Sequence, residues 1–115
     1  MAFTAEETKE IETAVSTFLE QIRPPEHLRD KVDIIYRLEG QSVAIIEVRP
    51  YWQDASRKTE TPIAKTTYVR TQDCWNIFWQ RADMKWHTYD PDPEVASIED
   101  FLAVVHADEL HCFWG

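Results

Sequence analysis

The sequence predicts an α+β fold: an antiparallel four- to five-stranded meander with an N-terminal and a C-terminal helix packed on one face. Three observations carry this. Helical periodicity is confined to the two ends of the chain, the middle alternates in twos, and the connections between the alternating runs are short. Parallel strands need crossovers of a dozen residues or more, and these connections leave no room for them.

The first helix spans 4–22. Thr4 and Glu7 have capping-box spacing, in which the hydroxyl accepts the N3 amide and the carboxylate reaches back to the N-cap amide. Ile11, Val15, Phe18, Leu19 and Ile22 then form one apolar stripe. Pro24 and Pro25 end the helix, since neither offers an amide donor and Arg23 is pushed toward extended geometry.

Strands are expected at 32–39, 42–49, 62–70, 74–81 and 85–89, with Gly40-Gln41 as a tight hairpin turn. The polar stretch 51–61 reads as a loop and 90–93, Asp-Pro-Asp-Pro, as an extended linker. Ser97 and Asp100 resemble a second cap. Ile98, Phe101, Leu102 and Val105 follow at i, i+3, i+4 and i+7, giving a second helix over 97–107. The tail 110–115 is too apolar for a free end and is expected to dock.

The chain has 115 residues, enough for one domain (1–115) with a core that needs no staples. Five Trp, four Tyr and five Phe rule out wholesale disorder. The N-terminus lacks the basic start and apolar stretch of a secretory signal, and no run approaches the ~20 apolar residues of a membrane span. Cys74 and Cys112 read as two reduced thiols, so a cytoplasmic location is expected.

Twelve Lys and Arg stand against 21 Asp and Glu, a net charge of −9. Such a field repels duplex nucleic acid. The charge is uneven, however. Residues 37–89 hold eight basic and six acidic side chains, whereas 90–115 hold seven acidic and none basic.

Much chemistry is absent. With two glycines in the chain, no phosphate-cradling Gly loop exists. His106 and His111 diverge on a helix, His111 and Cys112 are adjacent, and no Cys-x-x-Cys occurs, so neither a metal nor a cofactor is expected. Both cysteines lie among apolar residues that disfavour a thiolate. Asp33, Glu47 and Arg49 loosely mimic a nuclease triplet. A two- or four-residue hairpin loop separates them: Asp33, Ile35, Arg37, Ala44, Ile46 and Val48 share one face, and Val32, Ile34, Tyr36, Leu38, Val43, Ile45, Glu47 and Arg49 the other. The second face is the more apolar and should meet the helices. Glu47 and Arg49 then pair at its margin.

In the fourth strand Trp75, Ile77 and Trp79 oppose Cys74, Asn76, Phe78 and Gln80. One set is core, and the other is half covered or forms an aromatic shelf. Arg81, Asp83, Lys85 and His87 alternate across the next turn and read either as a charged sheet edge or as a ligand site.

Several stretches carry a family resemblance: residues 23–29 (RPPEHLR), Ser42-Val43 leading to 47–52 (EVRPYW), 62–65 (PIAK), the long run 75–89 (WNIFWQRADMKWHTY) and the closing 113–115 (FWG). Together they resemble a bacterial family known only as domain of unknown function 3024. The resemblance implies a bacterial, intracellular, single-domain protein and brings no assigned activity with it.

Three functions are expected from these residues. The first is a non-catalytic binding or interaction module. In it Arg49, Lys65, Arg81 and Lys85 supply charge, and Trp52 and Trp86 supply contact area, for a small anionic ligand or an acidic protein segment. The second is a small enzyme using Glu47 or Asp83 with His87 as acid and base. The third is a homodimer sealing its aromatic face.

Overall fold

A computed structural model of the chain describes residues 3–81, 83–108 and 113. Thr4 caps helix α1, Ala5–Ile22, with both arms of the capping box formed: its hydroxyl accepts the Glu7 amide at 3.1 Å and Glu7 accepts the Thr4 amide at 2.8 Å. The helix stops at Arg23, whose amide still reaches the Leu19 carbonyl before Pro24. A single 3-10 turn at Glu26–Leu28 leads into the sheet.

Six strands follow: β1 Asp33–Glu39, β2 Ser42–Tyr51, β3 Asp54–Val69, β4 Cys74–Gln80, β5 Trp86–Thr88 and β6 Glu94–Val95, before helix α2 at Ile98–Ala107. All pairings are antiparallel, in the order β1-β2-β3-β4-β5. Strand β6 also pairs with β4, so β5 and β6 share the same edge of that strand end to end. The expected α+β meander is therefore present with one short strand added. Val95 joins the sheet opposite Trp75, just after the Asp-Pro-Asp-Pro stretch read as linker.

The larger correction concerns 51–61. Only Trp52 and Gln53 form a turn, and β3 starts at Asp54, well before the expected 62. Pairing of β1 with β2 ends at Asp33 opposite Val48, and pairing of β4 with β3 ends at Trp79 opposite Ala64. Residues 49–59 are thus an irregular two-stranded ribbon projecting from the sheet: Arg49 faces Thr59, Pro50 faces Lys58 and Tyr51 faces Asp54, with residues 55–57 bulged out of register between the last two pairs.

The β1–β2 register is the one the hairpin arithmetic predicts, with Ile34 opposite Glu47 and Leu38 opposite Val43. A β-bulge then shifts β3: Ile45 faces Ala64 while Ile46 faces Pro62, leaving Ile63 as the extra residue. The bulge turns Ile63 toward the core and accommodates Pro62, which has no amide to donate.

One face of the sheet is the core. Ile34, Val43, Ile45, Ala64, Trp75 and Ile77 meet Ile11, Val15 and Phe18 of α1 and Ile98, Phe101, Leu102 and Val105 of α2. Thr66, the buried polar residue in this layer, donates its hydroxyl to the Asn76 carbonyl at 2.8 Å. Two bidentate ion pairs fasten α1 to the sheet. Arg70 at the end of β3 holds Glu7, both contacts at 2.9 Å, and Arg23 holds Asp33, both at 2.7 Å. Of the tail expected to dock, Phe113 is buried against Tyr89, with ring centroids 4.8 Å apart, and donates its amide to Asp108. The rest of that tail, with His111 and Cys112, lies outside the described residues. No described helix is long and apolar enough to cross a membrane.

Candidate binding site

The helices cover one side of the sheet and leave the other bare. Strand alternation decides which of the expected site residues share a side. Lys65 on β3 faces Phe78 on β4, and Trp86 on β5 faces Gln80. These side chains therefore lie on the helix-free face. The Lys65 ammonium sits 5.0 Å from the Trp86 ring centroid and 5.3 Å from that of Phe78. No carboxylate among the described residues pairs with it. Two electron-rich ring faces hold the cation in place and leave its charge uncancelled.

Beside it runs a groove of about 230 Å³. Ala44, Ile46 and Pro62 form its apolar part, Trp86 and Lys65 one wall, and Arg37, Ser42 and Glu39 the other. Arg37 on β1 reaches across β2 to Glu60 on β3, at 3.0 and 3.1 Å. Mutual hydrogen bonding holds the Arg37 guanidinium protonated more firmly than usual and the Glu60 carboxyl below its usual range. Ile46, on the bare face, is nonetheless only 3% exposed. Neighbouring side chains have closed over it and left the groove alongside.

The other expected residues fall elsewhere. His87 faces Trp79 across β4 and β5, on the helix side of the sheet, with ring centroids 6.4 Å apart. Its Nε2 lies 3.0 Å from Asp83 Oδ2 across the β4–β5 turn. Asp83 also accepts the Lys85 amide at 2.9 Å, and these hydrogen bonds, the backbone one foremost, lower its pKa. Arg81 lies over the Trp79 ring at 5.5 Å, and its amide donates to the Lys85 carbonyl. Asp83 and His87 therefore meet. Glu47 is instead hydrogen-bonded to Arg49 at 2.5 Å, at the base of the ribbon, as the core-margin pairing anticipated. Trp52 is at the ribbon tip, 83% exposed.

The nine expected residues thus form three groups: Lys65 with Trp86 on the bare face, Arg81, Asp83, Lys85 and His87 around the β4–β5 turn, and Glu47, Arg49 and Trp52 along the ribbon. The groove residues Arg37, Glu39, Ser42, Ala44, Ile46 and Pro62 were not among the expected site. A signal for three of them was present, since the hairpin register already placed Arg37, Ala44 and Ile46 on one face. The position of β3 over them depends on the bulge at Ile63, which no residue pattern announces. Among the described residues no group of three or more His, Cys, Asp or Glu is arranged to hold a metal.

No curated protein and no solved structure matches this chain. A family model, described as Domain of unknown function (DUF3024), matches residues 3–115. With essentially its whole length inside that match, the chain belongs to the DUF3024 family.

Proposed function

We propose that the protein is a non-catalytic interaction module whose helix-free sheet face docks an acidic, partly aliphatic segment of a partner protein. The observation that carries this reading is Lys65, a cation held between Trp86 and Phe78 with no ion-pair partner among the described residues, at the wall of a groove with an apolar centre. Size favours a peptide over a metabolite. Small-molecule pockets usually hold roughly 300–1,000 Å³, whereas this groove holds about 230 Å³, room for a side chain or two. Ile46 and Pro62 suit an aliphatic side chain, and Lys65 suits the carboxylate next to it. Trp and Arg at the rim are the residue types that carry most interface energy.

The test is an amide-shift titration of the isotope-labelled protein with an acetylated peptide of alternating Glu and Leu at low salt. Shifts confined to Ala44, Ile46, Lys65 and the Trp86 indole, abolished by Lys65→Glu and weakened by salt, are expected. Shifts elsewhere, or an unchanged response in the variant, would refute the reading.

Asp83 and His87 favour a second reading, acid–base catalysis, through their 3.0 Å contact. That reading requires a hydrolytic or isomerase activity that His87→Gln removes while the fold is retained.

A further inference from the structure

We propose that the chain associates head to tail with itself, the Trp52 tip of the β2–β3 ribbon entering the groove between α1 and α2 of a second copy. The surfaces involved are separate from the helix-free face, so this inference stands independently of the function proposed above.

The ribbon is one half. Residues 49–59 extend beyond every neighbouring strand, and a two-stranded hairpin alone in water is marginally stable. Its base is nevertheless tied down. Lys58 Nζ donates to the Asp30 carbonyl at 3.1 Å, and Arg49 holds Glu47. At the tip the Tyr51 and Trp52 rings lie 6.1 Å apart. A large indole held out on a tethered ribbon is the form an anchoring side chain takes at an interface. With Arg49 paired to Glu47, the rest of the ribbon carries Arg57 and Lys58 against Asp54, a locally net positive arm on a protein of net charge −9.

The helix layer is the other half. Between α1 and α2 lies an open groove of about 780 Å³, floored by Ala14, Phe18, Leu102 and Ala103, with Glu10 and Glu99 at its rim beside Lys9 and His106. No ribbon residue lines it within its own chain. Helix α1 carries five carboxylates and one lysine, and α2 adds Glu99 and Asp100. The apolar floor suits an indole, and a helix layer whose seven carboxylates outnumber its one lysine suits the cations Arg57 and Lys58.

Because ribbon and groove are different surfaces, the contact is heterologous. Each copy offers one ribbon and one groove, and the assembly grows into a ring or an open chain. Trp52→Ala removes the ribbon's anchor, and Ala103→Arg fills the groove at an exposed helix position.

The experiment is sedimentation over a concentration series at low and high salt, with helicity and melting confirming that the variants fold. The wild type should exceed the monomer mass as concentration rises, less so at high salt. Trp52→Ala should weaken association about 30-fold, as loss of an interface hot spot does, and Ala103→Arg should also be monomeric. A mixture of the two variants should recover a complex no larger than a dimer, because only one intact ribbon–groove pair remains. A wild type that stays monomeric, variants that associate as well as the wild type, or a mixture that stays monomeric would each overturn the proposal.

Discussion

The two faces of the sheet are built from the same strands by alternate residues, yet they do different work. On the helix side, Trp75 and Ile77 of β4 are sealed under α1 and α2. One residue away, Asn76 and Phe78 look out over a surface that no described helix or strand covers. The covered side gathers nearly all the fully buried hydrophobic residues, including Val43, Ile45, Ile77 and Phe101. The bare side has Ile46 as its own small centre, shielded by long side chains instead of by a helix. Stability is therefore concentrated on one side, and the other is free to vary its chemistry at little cost to the fold.

The largest expected effect tests that division directly. Phe101→Ala empties a fully buried site on the inner face of α2 and should cost about 3–5 kcal/mol in urea unfolding. A loss below about 1 kcal/mol would mean that the helix layer contributes little to the core.

Acid should come next, acting at the seam between helix and sheet. Arg70, aided by the Thr4 amide, holds the Glu7 carboxyl at about 2 against an ordinary 4.5, and Arg23 lowers that of Asp33. A carboxyl depressed in the folded state stabilises the fold above its ordinary pKa, and that contribution is lost as pH falls toward the folded value. Melting temperature should thus fall as pH drops from 4.5 toward 2, and Glu7→Gln should flatten part of the slope. An unchanged slope in the variant would show that the seam is held by packing alone.

The smallest effect belongs to the bare face. Lys65→Met gives up ring–cation contacts worth about 0.5–1 kcal/mol and should shift the urea midpoint slightly. A loss comparable to Phe101→Ala would abolish the distinction between the two sides.

Where burial alternates, the strands could be read from residues alone. The β1–β2 register followed from one short turn, and with it the face that meets the helices and the Glu47–Arg49 pair. Both helices followed from caps and stripes, to within a residue at each end. The ribbon was missed for a physical reason. Strand patterns are signals of one-sided burial, and Asp54 and residues 56–61 are all exposed, so the stretch looks like any polar loop. Strand β6 was missed because two residues between Pro93 and Ser97 are too few for any pattern. The site was partly legible for a related reason. Lys65, Trp86, Arg81 and His87 were recognisable as unusual side chains, but their division between faces depends on strand phases beyond a bulge that Ile63 does not advertise.

Strand β3 runs unbroken from Asp54, at the ribbon turn, to Val69, beside the α1 clamp at Arg70. Along its length it passes from an exposed stretch to Thr66, which has no exposed surface. Anything that grips the tip therefore pulls, through one continuous backbone, on the centre of the molecule. Amide exchange along this strand should record such a grip as slowed exchange spreading inward from the turn, well before any change reaches the helices.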